Sequence, residues 1–251
     1  MISSDKLTPP VNLEEHKAPS VVCWTRMQTE AGQALDNIIA RKEMERRAGA
    51  GLFFWGVGNP PSTAINPLAR LGKKLPVVFS VMKSKPKMRD VAPQRTVIWR
   101  QFVDPHGVPR PLPDHVLVTS GTSSRAYHYA LVCRSDEPLG LSDLGPFDAS
   151  AYRNLTGTRS PVGSSQVTAL LSRHSQEGEG SYRVAMRATL EGGLWVKLID
   201  PIEINPKEQE CIRQVGHVGM GTWTALVGML RRSPGCEVSP SRRGQLSLFD
   251  S

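Results

Sequence analysis

The sequence predicts an α+β domain built on a curved, β-barrel-like sheet with flanking helices. Three observations carry this expectation. Short apolar runs recur between loops bearing Gly and Pro, the pattern of a barrel or a highly curved sheet. Residues 28–48 repeat apolar side chains at helical spacing, and residues 222–230 do so again. The 251 residues, 39% hydrophobic and 22% charged, supply ample material for one core. A single domain is expected over residues 20–232, between a disordered arm (1–19) and a disordered tail (233–251).

The elements follow in order. Pro9, Pro10 and Pro19 punctuate a polar arm without sustained periodicity. Residues 20–24 predict a strand. In the helix over 28–48, Ala31, Leu35, Ile38 and Ile39 form the apolar face, and Arg41, Lys42, Glu43, Glu45, Arg46 and Arg47 a charged surface. Thr25 is the candidate cap of its start, and Gly49 and Gly51 mark its end. The continuous apolar run 52–57 predicts a strand buried on both faces. Further strands are expected at 76–82, 96–99, 115–119 and 126–133. Residues 134–165, rich in Asp, Ser, Gly and Pro, read as a long excursion, and 166–172 as a strand or a short helix. Strands over 181–190 and 194–204 flank Glu191-Gly192-Gly193, a hairpin-type signal. The last helix would bury Trp223, Leu226, Val227 and Leu230, with Arg231 and Arg232 suiting its C-terminal dipole.

Charge is unevenly placed. Between residues 70 and 100 nine basic residues stand against Asp90 alone, a surplus of eight that equals the +8 of the whole chain. Such a concentration attracts polyphosphate backbones by counterion release, or forms a solvated surface. Lys83, Lys85, Lys87 and Arg89 are the candidate nucleic-acid contacts.

Known chemical signatures are weak. Cys23, Cys133, Cys211 and Cys236 are scattered, which predicts reduced thiols, several of them buried. The six histidines do not cluster, and no metal site or cofactor is expected. Gly216-His217-Val218-Gly219-Met220-Gly221 lacks the lysine-serine pair of a phosphate loop. Asp200, Glu203, Lys207 and Glu208 are the residues a metal-dependent nuclease would use. No catalytic residue is assigned, and a binding protein rather than an enzyme is expected. No apolar run approaches the ~20 residues of a membrane span, so no membrane partner is expected. The first residues lack a basic region followed by an apolar core, which predicts a cytoplasmic protein; its expected nucleoid association rests on the basic surplus and on the C-terminal peptide.

The tail carries the most specific motif. Gln245-Leu246-Ser247-Leu248-Phe249 follows a stretch rich in Gly, Ser and Pro. Gln245 can donate and accept at a pocket rim, Leu246, Leu248 and Phe249 can fill apolar pockets, and Ser247 is the small polar spacer. This pentapeptide resembles the motif by which bacterial DNA-metabolism proteins grip the β sliding clamp. The resemblance implies that clamp as partner, and with it work on or beside DNA in a bacterium, phage or mobile element.

A second resemblance lies in residues 24–87. Phe53-Phe54-Trp55-Gly56-Val57-Gly58-Asn59 is followed by Met82-Lys83-Ser84-Lys85-Pro86. The latter is similar to the Met-Lys-Ser-Glu-Pro signature near the start of EVE domains, with Lys85 where those domains carry Glu. The segment thus resembles the PUA-like superfamily in its EVE and ASCH-like branches. That resemblance implies a small curved barrel flanked by helices, binding modified bases in DNA or RNA. On the residues themselves, Trp55, Asn59, Ser84, Tyr127 and Tyr129 form the candidate base pocket. Trp55 offers a ring beside the permissive backbone of Gly56 and Gly58. Asn59 can read a base edge, Ser84 can hold a phosphate with its lysine neighbours, and Tyr127 and Tyr129 project from one sheet face. The competing reading makes Trp55 and the tyrosines ordinary core residues. The expected function is a non-enzymatic DNA-associated binding protein recruited to the clamp. The alternatives are a clamp-recruited nuclease and a phage or mobile-element inhibitor of the clamp.

Overall fold

The computed structural model describes residues 20–27, 33–58, 74–83, 96–121, 129–155, 168–176, 178–214 and 219–232. The expected arm and tail lie outside them.

The fold is α+β and dominated by one sheet. In chain order come β1 (Val21–Arg26), α1 (Leu35–Ala48), β2 (Leu52–Val57), β3 (Leu75–Met82), β4 (Thr96–Val103), β5 (Pro109–Pro111), β6 (Thr119–Gly121), β7 (Tyr129–Arg134), β8 (Pro146–Phe147), β9 (Tyr152–Asn154), β10 (Thr168–Arg173), β11 (Tyr182–Ile204), α2 (Pro206–Gln214) and α3 (Met220–Arg232). The hydrogen-bonded path runs β2-β7-β11-β3-β1-β10-β9, with β4 beside β11 and carrying β5 and β6. β1 and β3 are parallel, with α1 and β2 in their connection. Among the described residues this path does not close into a barrel.

The sheet nonetheless curls sharply. β2 and β3 are separated by β7 and β11, three spacings that would total ~14 Å in a flat sheet. Yet the Trp55 and Phe79 rings lie 4.9 Å apart, and Phe53 and Phe79 6.1 Å apart. The curl gathers Phe53, Val57, Val77, Phe79, Leu131 and Leu190 into an inner core, onto which α1 lays Leu35 and Ile39. Phe54 packs on the opposite face with Val132 and Leu198, so β2 is buried on both faces as its composition predicts.

The place where β11 bends corrects one expectation. Leu190 pairs with Cys133 and Trp195 with Leu131, so residues 191–194 stand opposite Val132 alone. Gly192 takes φ +53°, which glycine permits without steric cost. The Glu191-Gly192-Gly193 signal therefore marks a large bulge rather than a hairpin. The chain keeps its direction, because both halves of β11 pair antiparallel with β7.

Three further expectations change. Thr25 does not cap α1: it lies in β1, bonded to Thr168, and the residue at the cap position is Ala34. Gly49 does end the helix, its N–H donating to the Glu45 carbonyl at 2.7 Å. The charged surface of α1 is partly interior, since Arg41, Lys42 and Glu45 are all buried. Residues 115–118 are not a strand; only Thr119–Gly121 pairs, with β4. Val116, Leu117 and Val118 are nevertheless buried. Side chains from the helices satisfy much of that loop's backbone. Glu45 and Lys42 hold Leu117, Trp223 donates to the His115 carbonyl, and Arg231 donates to those of Leu112 and Val116. Arg231 thus does more than complement a helix dipole. Trp223, Val227 and Leu230 bury the face predicted for α3, against Ile98, Ile202 and Met44.

α2 was not foreseen. Its signal is a capping box: Asn205 N–H donates to the Glu208 carboxylate at 2.8 Å, Glu208 N–H returns a bond to Asn205 Oδ1 at 3.0 Å, and Pro206 opens the helix.

Candidate nucleic-acid interface

Two rows of side chains cross β2, β7 and β11 on the concave face of the sheet. Register places Trp55, Leu131 and Trp195 in one row, and Val57, Tyr129 and Lys197 in the next. Period-two alternation puts all six on one face, because directly paired residues of antiparallel strands share a side. Leu131 and Val57 are buried, whereas Trp55, Tyr129 and Trp195 are half-buried at the border of the inner core. Trp55 meets Phe79 edge-on, and the Tyr129 and Trp195 rings lie 5.8 Å apart at 33°. Lys197 is exposed and makes no ion pair with a described residue. The rings present apolar faces beside an ammonium, a combination suited to unpaired bases and their phosphates.

Trp55 and Tyr129 of the predicted pocket therefore stand on paired strands. Asn59, Ser84 and Tyr127 lie outside the described residues. Of the candidate contacts Lys83, Lys85, Lys87 and Arg89 only Lys83 is described. It is exposed at the end of β3, its Nζ donating to the Glu179 carbonyl at 2.6 Å and its N–H to that of Ser181 at 3.0 Å. Lys83 thus adjoins the start of β11, whereas Tyr129 pairs with Lys197 beyond the bulge. Strand pairing does not bring the two together. Lys85, Lys87 and Arg89 lie outside the described residues, as do Gln245, Leu246, Ser247, Leu248 and Phe249.

Trp195 and Lys197 were not singled out from sequence. Their signal was the alternation Leu194-Trp195-Val196-Lys197-Leu198, which sets ring and ammonium on one side and aliphatic residues on the other.

The carboxylates of the nuclease alternative are engaged otherwise. Asp200 pairs with Arg100 at 2.5 Å, and Glu208 caps α2. Among the described residues no three His, Cys, Asp or Glu side chains gather as a metal site. The thiols offer no reactive centre at the core: burial pushes Cys23 up to about 12 and Cys133 well above its ordinary value. Among the described residues no helix is long and apolar enough to cross a membrane.

Comparison of the chain with known protein families, with curated proteins and with solved structures finds no match.

Proposed function

We propose that this chain is a DNA-associated binding protein whose PUA-like α+β domain contacts nucleic acid and whose C-terminal peptide recruits it to the bacterial β sliding clamp. The observation that supports the nucleic-acid half is the adjacency of Trp55 and Tyr129. Residues far apart in sequence share one face of paired strands, at the border of the core rather than within it. A flipped or single-stranded base, including a modified one, stacks on such rings, with Asn59 four residues after Trp55 and Tyr127 two before Tyr129 in the chain. The basic surplus between residues 70 and 100 supplies attraction to the backbone. The clamp half is supported by the order of side chains in Gln245-Leu246-Ser247-Leu248-Phe249. The test is a pull-down of purified sliding clamp with the full chain and with a Gln245→Ala, Leu248→Ala, Phe249→Ala variant. Capture by the parent and none by the variant, with equal melting temperatures, is the expected result; equal capture sinks the recruitment reading. Added clamp-loaded polymerase separates recruitment from inhibition, since an inhibitor displaces it and stops synthesis.

A further inference from the structure

We infer that the aromatic face extends to a second subsite, formed by Trp195 and Lys197, and that its ligand is single-stranded nucleic acid rather than duplex. The inference rests on the proposed nucleic-acid reading and names the substrate form. Trp55 and Trp195 are two strands apart in the same register row, about 10 Å at normal strand spacing, with Leu131 between them. Tyr129 stands one row further along, and Lys197 is directly opposite it on β11. The surface therefore offers rings on three neighbouring strands and one exposed ammonium at their margin.

Stacking of this kind needs free base faces. A duplex keeps those faces against neighbouring base pairs, whereas consecutive unpaired bases can each take a ring. Lys197 lies where the backbone joining two stacked nucleotides would pass, and it has no acidic partner among the described residues to compete for it. The bulge at residues 191–194 helps build this arrangement. It shifts the register of β11 against β7, so that Trp195 rather than Gly192 aligns with Leu131 and Trp55.

The experiment titrates the full chain with a thymidine oligonucleotide, and with the duplex formed by that strand and its complement. It follows tryptophan fluorescence and anisotropy across a salt series. Trp195→Ala should weaken single-strand binding by roughly 5- to 150-fold, the range of one lost base stack, and leave duplex binding unchanged. Trp195→Phe should restore most of the loss at equal melting temperature, which separates stacking from stability. Lys197→Ala, an exposed change that does not threaten the fold, should lower the single-strand salt slope by ~0.7. Single-strand binding that none of these variants alters overturns the second subsite and leaves the proposed function standing. A parent chain that binds neither form overturns both the second subsite and the nucleic-acid half of the proposed function.

Discussion

Replacing Glu45 by Ala removes the centre of the tie between α1, β2 and the buried loop before β6. Its carboxylate accepts from Lys42 Nζ at 2.6 Å, Leu117 N–H at 3.0 Å and Phe54 N–H at 3.1 Å. Glu45 is fully buried and Lys42 nearly so. Three losses follow from one substitution. The Lys42 ammonium keeps only the Leu117 carbonyl, at 3.1 Å, and breaking such a buried pair from one side destabilises by ~3–5 kcal/mol. Each orphaned backbone N–H adds ~1–3 kcal/mol, partly overlapping the first loss. A total of at least ~4 kcal/mol is a large share of the ~5–15 kcal/mol by which domains are stable. In a domain of this size it lowers the melting temperature by roughly 8–16 °C. The variant also gains a pH signature. Burial already lowers the Lys42 pKa, and Glu45 opposes that shift. Without Glu45 the folded pKa falls further below the unfolded value. Stability is then lost as pH falls through the unfolded pKa towards the folded one, and rising pH recovers it. Urea denaturation of Glu45→Ala, Lys42→Met and the double variant across pH measures both effects. A loss under ~1 kcal/mol for Glu45→Ala, or no coupling between the two sites, would refute the reasoning.

Three other outcomes are expected. Neutralising Lys83, Lys85, Lys87 and Arg89 together should weaken nucleic-acid binding and lower its salt slope, read by anisotropy; unchanged affinity would make this segment a solvated surface. Asn205→Ala should destabilise by ~1 kcal/mol through loss of the α2 cap, measured by urea denaturation, while leaving nucleic-acid binding unchanged. Burial lowers the His115 pKa from its ordinary 6.5, so the unfolded chain takes up a proton first on acidification. The stability this holds is present above about pH 6.5 and lost as pH falls towards the folded value. Melting temperatures of parent and His115→Gln between about pH 7 and 5 should show a shallower acid loss in the variant.

Much of the sheet was legible because strand chemistry is local. Alternating and continuous apolar runs marked β1, β2, β3, β7 and β11, and paired glycines marked the end of α1. The candidate site was legible in part for the same reason. Trp55 and Tyr129 stand in runs whose period assigns each to one face of its own strand. That those two faces coincide is not a local property, and only the pairing of β2 with β7 establishes it.

By itself the sequence determined the α+β class, the positions of most strands, the inner face of α3 and the concentration of positive charge. These depend on periodicity, propensity and composition, which are written within a few turns or strand repeats. Tertiary structure alone decided three things. Arg41, Lys42 and Glu45 read as solvent-facing because charge normally stays in water. Lys42 and Glu45 are interior because their mutual ion pair and the backbone of Phe54 and Leu117 offset desolvation, whereas buried Arg41 has Gln33 for one nitrogen and leaves two others without a hydrogen bond among the described residues. Glycines at residues 192 and 193 mark a bend whether the chain reverses or continues, and only pairing with β7 on both sides makes it a bulge. The apolar run at 116–118 signals burial equally for strand and loop. At residues 115–117 the chain became a loop because side chains of α1 and α3, distant in sequence, took up backbone hydrogen bonds that a neighbouring strand would otherwise have supplied, while the Val118 carbonyl still accepts from Trp99 of β4.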